Sequence, residues 1–166
     1  MKNLACAFTG RSNSGKTTLI EKLAKELAST HKVAIIKHDP KDKARFDTEG
    51  KDSYRFYQAG ASVAVVSSVK TTIMLQESRS IKNIAASFGE VDYLFVEGLK
   101  EIPLPRIAVM REEVEERFFP YIKAVAVDHT INRKLIPQGI DILDLNEPLE
   151  ILAWIDQNAL PIKEMQ

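Results

Sequence analysis

The chain contains little of what thiol or metal chemistry requires. It has one cysteine, Cys6, and three histidines, His31, His38 and His129, which are scattered along 166 residues. A single cysteine cannot form an intramolecular disulfide, which fits a reducing compartment, and Cys6 within an apolar run is expected to pack as a small core residue. The absence of a Cys/His cluster argues against a protein that delivers metal ions.

The chain also has no excess charge and no long apolar run. Its 23 basic and 23 acidic side chains give a formal net charge of zero, so no overall field recruits nucleic acid or an anionic membrane. No apolar run approaches the ~20 residues that span a bilayer, and the N-terminus leads directly into a predicted strand, without room for a signal peptide. We therefore expect a cytoplasmic protein whose partners include neither nucleic acid nor membrane. The length suits a single domain over residues 1–166.

What the chain does contain is a phosphate-binding motif. Residues 10–17, GRSNSGKT, match the template G-x-x-x-x-G-K-[ST]. The apolar run 4–8 precedes them and a helical pattern follows, which is the strand–loop–helix order that a phosphate-binding loop (P-loop) requires. The backbone N–H groups of such a loop and the N-terminus of its helix bind anions. The chain is therefore predicted to bind a nucleoside triphosphate in a single P-loop nucleotide-binding domain.

The positions of this motif have separate predicted roles. Gly10 and Gly15 permit the tight turn. Lys16 is expected to reach the β- and γ-phosphates and to act in catalysis, and the Thr17 hydroxyl is expected to ligate Mg²⁺. A turn that is merely rich in glycine and serine is the alternative interpretation. The candidate nucleotide-binding residues of this segment are Gly10, Ser12, Asn13, Ser14, Gly15, Lys16, Thr17 and Thr18.

Strand and helix patterns alternate along the rest of the chain. Short continuous apolar runs predict strands at residues 33–36, 63–66, 71–75, 91–96, 107–110, 124–127 and 140–145. Apolar spacing predicts one helix after the loop and another from Ile81, and a final helix is expected to begin near Asn146 with Pro148 in its first turn. Continuous apolar strands interleaved with helices are typical of a mainly parallel sheet with helices on both faces, in an α/β fold of the P-loop NTPase type.

Two carboxylates follow predicted strands and are candidates for the chemistry beside the phosphates. Glu97 ends the apolar run 93–96, and Asp39 lies at the tip of the strand 33–36. Open parallel sheets bind ligands at the carboxyl ends of their strands, where the P-loop would also lie. Either carboxylate could therefore serve Mg²⁺ or orient the water that attacks the γ-phosphate, as a metal-binding and catalytic residue. An ordinary acidic strand end is the alternative for each.

A polar stretch of mixed charge runs from Asp39 to Asp52. A loop longer than about 12–15 residues within a compact domain is usually functional or disordered. A helix is predicted to start behind it, with Asp52 or Ser53 as the N-cap. Lys51 and Arg55 beside this helix start are candidates for holding a second anionic group. The alternative is a solvated, mobile loop with ordinary capping.

The residues do not reveal the base of the nucleotide. No Asn-Lys-x-Asp guanine signature occurs, and Asp128, at the end of the strand 124–127, is only a candidate for the N1/N2 edge of guanine. Two functions of different class stay open at this point. One is an accessory nucleotide-binding protein, and the other is a small-molecule kinase whose anionic acceptor is held by Lys51 and Arg55.

Several segments taken together resemble one protein family. They are Gly10–Thr18, Lys37-His38-Asp39, Phe46–Arg55 with Ala59-Gly60-Ala61, Val96–Lys100, and Pro105-Arg106-Ile107 with Arg111. In this combination the chain resembles the MobB family, the molybdopterin-guanine dinucleotide biosynthesis adapter proteins. Glu49 departs from the proline that many members carry before the Gly-Lys-Asp segment.

The resemblance implies a GTP-binding homodimer of the P-loop class that hydrolyses GTP slowly with Mg²⁺. Such a protein supports the molybdenum cofactor guanylyltransferase that joins GMP to molybdopterin, and molybdopterin and molybdopterin-binding enzymes are further candidate partners. The run 71–75 has strand character between polar stretches, and an exposed edge of this kind would invite pairing with another chain. We therefore expect a two-fold dimer that buries this edge.

Overall fold

A computed structural model describes residues 2–165, which divide into two compact units. One unit comprises the described residues up to His38 and those from Ile81 onward, and the other comprises Asp39–Ser80. The expectation of a single domain over residues 1–166 stays a prediction, and its first and last residues lie outside the described range.

The strands and helices are numbered in chain order. They are β1 (Leu4–Thr9), α1 (Lys16–Leu27), β2 (Val33–Lys37), α2 (Asp52–Gln58), β3 (Val63–Val66), β4 (Thr71–Met74), α3 (Ile81–Ser87), β5 (Tyr93–Glu97), β6 (Arg106–Met110), β7 (Ala124–Val127), β8 (Asp141–Asp144), α4 (Pro148–Asn158) and β9 (Leu160–Pro161). Short 3₁₀ helices lie at Glu116–Tyr121, Arg133–Leu135 and Ile162–Glu164. None of the helices within residues 2–165 has the length and apolar character needed to cross a bilayer.

A parallel sheet forms the centre of the first unit, with the strand order β2-β5-β1-β6-β7-β8. Its central strand is β1, which pairs in parallel with β5 on one side, where Phe8 lies opposite Glu97. On the other side β1 pairs in parallel with β6, where Thr9 lies opposite Ala108. The short β9 adds an antiparallel pair at the start of β1. The sequence did not predict β9, because two residues carry no periodicity.

Helices cover both faces of this sheet, because its strands are apolar on both sides. Along β1, Cys6 and Phe8 pack with α1 and α4 on one face, whereas Ala5 and Ala7 pack with α3 on the other. The buried face of α1 follows a three- and four-residue spacing and consists of Leu19, Ile20, Leu23 and Leu27. This arrangement confirms the predicted α/β fold with a mainly parallel sheet between helices.

The single cysteine lies inside this packing. Cys6 is fully buried, and its thiol donates a hydrogen bond to the carbonyl of Pro105 (3.4 Å). Burial raises the pKa of the Cys6 thiol to about 12. Cys6 is therefore a small core residue, as the sequence predicted.

The second unit contains α2 and a β-hairpin, and none of its residues, 39–80, is buried. β3 and β4 pair only with each other, antiparallel, with Val63 opposite Met74. The two predicted strands are thus confirmed, but they form a separate sheet instead of extending the parallel one. The reason is the tight turn between them, in which the N–H of Ser67 donates to the carbonyl of Lys70 (2.9 Å). Strands joined by so short a turn must run antiparallel.

The start of α2 differs from the prediction that Asp52 or Ser53 is the N-cap. The N-cap residue is Lys51, and no side chain caps the helix. Ser53 is the second residue of the helix and so cannot be its N-cap, and its hydroxyl donates a hydrogen bond to the carboxylate of Asp47 (3.1 Å). Asp52 lies in the first turn, where its negative charge complements the helix dipole.

A buried arginine fixes the chain that follows β5. Arg106, 1 % exposed, donates from Nη1 to the carbonyl of Gly98 (2.6 Å) and from Nη2 to the carbonyls of Leu99 (2.7 Å) and Ile102 (3.2 Å). Burial lowers the pKa of Arg106, although arginine stays protonated in proteins. Arg106 therefore holds the segment directly after Glu97 against β6.

We predict that Arg106→Met lowers the free energy of unfolding by about 3 kcal/mol, because three carbonyls lose a charged donor. Urea unfolding followed by circular dichroism measures this change. Arg133→Met is the control, since the Arg133 side chain is more than half exposed. An unchanged midpoint for Arg106→Met would mean that these carbonyls find other donors.

Candidate functional site

The loop between β1 and α1 has the backbone of an anion-binding cradle. Gly10 and Gly15 have positive φ angles of 142° and 97°, and Asn13 is left-handed at 63°. A Cβ added at Gly10 would lie 2.5 Å from the carbonyl oxygen of Val109, which is too close. Glycine at position 10 therefore lets the loop lie directly against β6. Gly15 is the N-cap of α1, so the free N–H groups of the first helical turn belong to the loop.

Lys16, the first residue of α1, folds back over the loop. Its ammonium donates hydrogen bonds to the carbonyls of Gly10 (2.9 Å) and Arg11 (2.6 Å). Burial lowers the pKa of Lys16, partly opposed by the carboxylates of Glu97 and Glu115. Hydrogen bonds from an ammonium to phosphate are stronger than those to neutral carbonyls. Phosphate oxygens would therefore draw Lys16 away from its present partners.

One buried hydroxyl of the loop lacks a partner. The Ser14 residue is 1 % exposed, and its Oγ makes no hydrogen bond within residues 2–165. An unpaired buried hydroxyl costs free energy, so a ligand oxygen that reached it would stabilise the loop. The remaining predicted residues of the segment are exposed around it: Ser12, Asn13, Thr17 and Thr18. The residues present therefore fit a phosphate group.

Glu97 reaches the edge of the sheet where the loop lies. It ends β5 opposite Phe8 of β1, and its carboxylate is 13 % exposed. Lys37, at the end of β2, donates a hydrogen bond to this carboxylate (2.9 Å). The structure thus brings Glu97 to the same sheet edge as the P-loop, and its catalytic role stays a prediction.

No ready-made cage for a metal ion exists among residues 2–165, where no three or more His, Cys, Asp or Glu side chains form a group that could hold one. Mg²⁺ bound with a nucleotide usually takes one or two protein ligands and completes its shell with phosphate oxygens and water. Thr17, which is exposed at the start of α1, together with Glu97 fits that requirement.

Asp128, after the end of β7, is buried at 4 % exposure with both carboxylate oxygens occupied. Oδ1 accepts hydrogen bonds from the hydroxyl and the N–H of Thr130, and Oδ2 accepts one from Nε of Arg111 (2.8 Å). These bonds, that from the Thr130 hydroxyl first, hold the pKa of Asp128 at about 2. The carboxylate is therefore charged at neutral pH. A contact of Asp128 with guanine stays a prediction, and it would compete with these bonds.

The segment after β6, residues 111–113, lies against the loop and was not predicted as part of the site. Arg11 donates to the carbonyl of Arg111 (3.1 Å) and pairs with the carboxylates of Glu112 (2.6 Å) and Glu113 (3.5 Å). The signal that could have found it is a charged run at the carboxyl end of an apolar strand. The same signal identified Glu97.

Three predicted site residues belong to the second unit. The backbone N–H groups of Lys41 (3.3 Å) and Ala44 (2.6 Å) donate to the carboxylate of Asp39, which therefore orders its own loop. Lys51 is the N-cap of α2 and Arg55 lies in its last turn, and both side chains are exposed. The roles of these three residues toward a ligand stay predictions.

The fold and the loop first define the class of protein. A parallel sheet whose central strand leads through a P-loop into a helix, with a carboxylate on the adjacent strand end, is the architecture of the P-loop NTPases. The crystal structure of the hydrogenase maturation factor HypB from Archaeoglobus fulgidus shares this fold. It aligns with a TM-score of 0.51 at 17 % identity, over 93 % of this chain and 87 % of that one.

The family follows from closer matches. Residues 5–128 match the family described as molybdopterin guanine dinucleotide synthesis protein B, MobB. The molybdopterin-guanine dinucleotide biosynthesis adapter protein of Haemophilus influenzae is 35 % identical over 160 residues, 90 % of this chain and 85 % of that protein. A crystal structure of molybdopterin-guanine biosynthesis protein B aligns with a TM-score of 0.71 at 26 % identity, over 92 % of this chain and 97 % of that one. The chain belongs to the MobB family, which confirms the resemblance.

We predict that Lys16→Ala and Thr17→Ala both abolish measurable hydrolysis of an Mg²⁺–nucleoside triphosphate. Lys16→Ala removes the cation of the loop and should weaken triphosphate binding by about tenfold or more. Calorimetric titration and phosphate release measure the two effects. Lys25→Ala is the control, because Lys25 is exposed and pairs with Glu21 on the same helix. Near-normal hydrolysis by either loop variant would contradict the site.

Proposed function

We propose that this protein is a cytoplasmic GTP-binding accessory protein with weak Mg²⁺-dependent GTPase activity. It supports a partner guanylyltransferase that forms molybdopterin guanine dinucleotide. The observation that carries the proposal is a complete P-loop with Glu97 on the adjacent strand end, in a member of the MobB family. The relative from Haemophilus influenzae is named as an adapter protein of this biosynthesis. Since the dinucleotide contains GMP, GTP is the triphosphate suited to both the loop and the pathway.

Different residues of the first unit bind the phosphates and the metal ion of the nucleotide. Residues 10–18 hold the phosphates, and Lys16 neutralises their charge once it leaves the loop carbonyls. Thr17 and Glu97 hold Mg²⁺ directly or through water, and the ion supplies charge neutralisation when bound. Asp39 belongs to the second unit, and its role toward Mg²⁺ or the attacking water stays a prediction.

Slow hydrolysis by the isolated protein is expected because Arg11, the arginine of the P-loop, is already paired. Arg11 pairs with the carboxylates of Glu112 and Glu113. An arginine finger supplied by a partner can accelerate a GTPase by roughly 10³–10⁵-fold. We therefore propose that the partner enzyme, not this chain alone, sets the rate.

The second unit has the properties of an interface. None of residues 39–80 is buried, and its exposed large apolar side chains include Phe46, Phe56, Val66, Val69 and Ile73. A hairpin of two strands is marginally stable by itself, and open strand edges pair with other chains. We propose that a second copy of the chain covers this unit along β4, which gives a two-fold homodimer.

Guanine preference is testable by competition. We predict that GTP displaces a fluorescent guanine nucleotide at least about tenfold more effectively than ATP, with and without Mg²⁺. The reason is that one well-placed contact to a base edge changes the affinity by about this factor. The Lys16→Ala variant serves as the control for binding through the loop. Equal displacement by ATP would remove guanine from the proposal and leave triphosphate binding in place.

Dimer formation is testable by light scattering. We predict a dimer at micromolar concentration, and a monomer for Ile73→Lys, which places a charge on the apolar face of β4. Leu149→Lys is the matched control, because Leu149 is equally exposed on α4 of the first unit. A monomeric wild-type protein would contradict the homodimer.

The accessory role is testable in a reconstituted reaction that contains this protein, the guanylyltransferase, molybdopterin, molybdate and Mg-GTP. We predict that Lys51→Ala and Arg55→Ala reduce dinucleotide formation more than they reduce GTP binding, because both cations are proposed to hold an anionic partner or molybdopterin itself. Lys70→Ala, a charge change in the hairpin turn of the same unit, is the control. If leaving this protein out changes neither rate nor yield at any GTP concentration, the accessory role fails. Phosphotransfer to a small acceptor then becomes the better interpretation.

A further inference from the structure

The side chain of Arg111, directly after β6, contacts Asp128 on one side and lies near Gly15 of the P-loop on the other. Its Nε donates to Oδ2 of Asp128 (2.8 Å). Its other side lies over the P-loop, since a Cβ added at Gly15 would be 3.7 Å from Cδ and 4.0 Å from Nη1 of Arg111. The side chain is 51 % exposed. A ligand on the loop at Gly15 can therefore reach this guanidinium.

The same side chain lines a cleft of about 90 Å³ beside the first turn of α1. Gly15 and Thr18 beside the P-loop line this cleft together with Lys22 and Asn146. The backbone N–H groups of a P-loop cradle the α- and β-phosphates, whereas its lysine reaches the β- and γ-phosphates. The cleft therefore adjoins the part of the loop that serves the phosphates nearer the ribose.

Asp128 keeps Arg111 in this place. Its carboxylate is buried and is itself fixed by the hydroxyl and the N–H of Thr130, so the acceptor for Nε has a defined position. A guanidinium held through Nε retains the two terminal nitrogens for phosphate oxygens, which a planar fork binds well.

We propose that Arg111 is a second cationic clamp for the nucleotide, contacting the α- or β-phosphate beside Gly15, and that Asp128 acts by positioning Arg111. Lys16 then binds the triphosphate from the γ-phosphate side and Arg111 from the α-phosphate side. The proposal rests on the nucleotide binding proposed for the P-loop.

Calorimetric titration of the full chain with GDP, ADP and inorganic tripolyphosphate tests the clamp. We expect Arg111→Gln to weaken all three by about tenfold, because each loses a charge-assisted contact to phosphate. Arg117→Gln is the control, since Arg117 lies in the same region and pairs with Glu115. Unchanged affinity of Arg111→Gln for all three ligands overturns the clamp.

A second variant distinguishes a direct contact between Arg111 and phosphate from a purely structural role of Arg111. Arg111→Lys keeps a cation beside Gly15 but lacks the fork, and we expect it to recover part of the lost affinity. If Arg111→Lys binds tripolyphosphate as weakly as Arg111→Gln does, charge at this position is irrelevant and the clamp is overturned. If the wild-type protein binds none of the three ligands, the proposed function itself fails, which is a different result.

The positioning role of Asp128 has its own signature. We expect Asp128→Asn to weaken GDP and ADP equally, and to cause no further loss when it is combined with Arg111→Gln. A loss confined to GDP would assign Asp128 to the base instead. Additive losses in the double variant would likewise overturn the positioning role.

Discussion

The parallel pairing of β1 with β5 on one side and β6 on the other is the constraint on which the site depends. In this register Phe8 lies opposite Glu97 and Thr9 opposite Ala108, so the P-loop emerges between two other strand ends. Segments about 90 to 100 positions apart in the chain thereby share one edge of the sheet. Gly10 maintains this contact, since a Cβ at that position would meet the backbone of β6 at 2.5 Å.

Charge around the loop is balanced locally. Cations near it are held by the chain's own carboxylates: Lys37 by Glu97, Arg111 by Asp128, and Arg11 by Glu112. The pair of Arg11 with Glu112 is exposed and adds little to stability, whereas Glu97 and Asp128 are largely buried. All three pairs orient a long side chain beside the place where a polyphosphate fits. A chain with zero net charge can thus place positive groups beside a polyphosphate site.

The parts of the molecule that sequence reasoning predicted correctly are those encoded by local pattern. The P-loop has a fixed spacing, and the buried strands are continuous apolar runs, so the fold class and the place of Glu97 at a strand end followed. The arrangement of Arg111 was not predictable, because its partners Asp128 and Gly15 are distant in the chain. The separate hairpin was also missed, because residues 67–70 between its strands contain no glycine, asparagine or aspartate to mark a tight turn.

The burial of Arg106 is another feature that sequence pattern did not predict. Arginine is mostly exposed in proteins, yet Arg106 is among the most deeply buried large side chains. Its burial is possible because the carbonyls of Gly98, Leu99 and Ile102 all turn toward it. No periodicity reports such a cluster of acceptors, which forms only when the loop after β5 meets β6.

Because Cys6 is buried, its reactivity is an internal probe of local opening of the central sheet. Thiols react as thiolates, and a fully buried thiol with a pKa near 12 is inert toward disulfide reagents while β1 stays packed. Labelling of Cys6 therefore requires an opening of the central strand, and its rate reports the free energy of that opening. Since the second unit contains no cysteine, the signal comes from the nucleotide-binding sheet alone. A ligand that stabilises this sheet should slow the reaction in proportion to its occupancy.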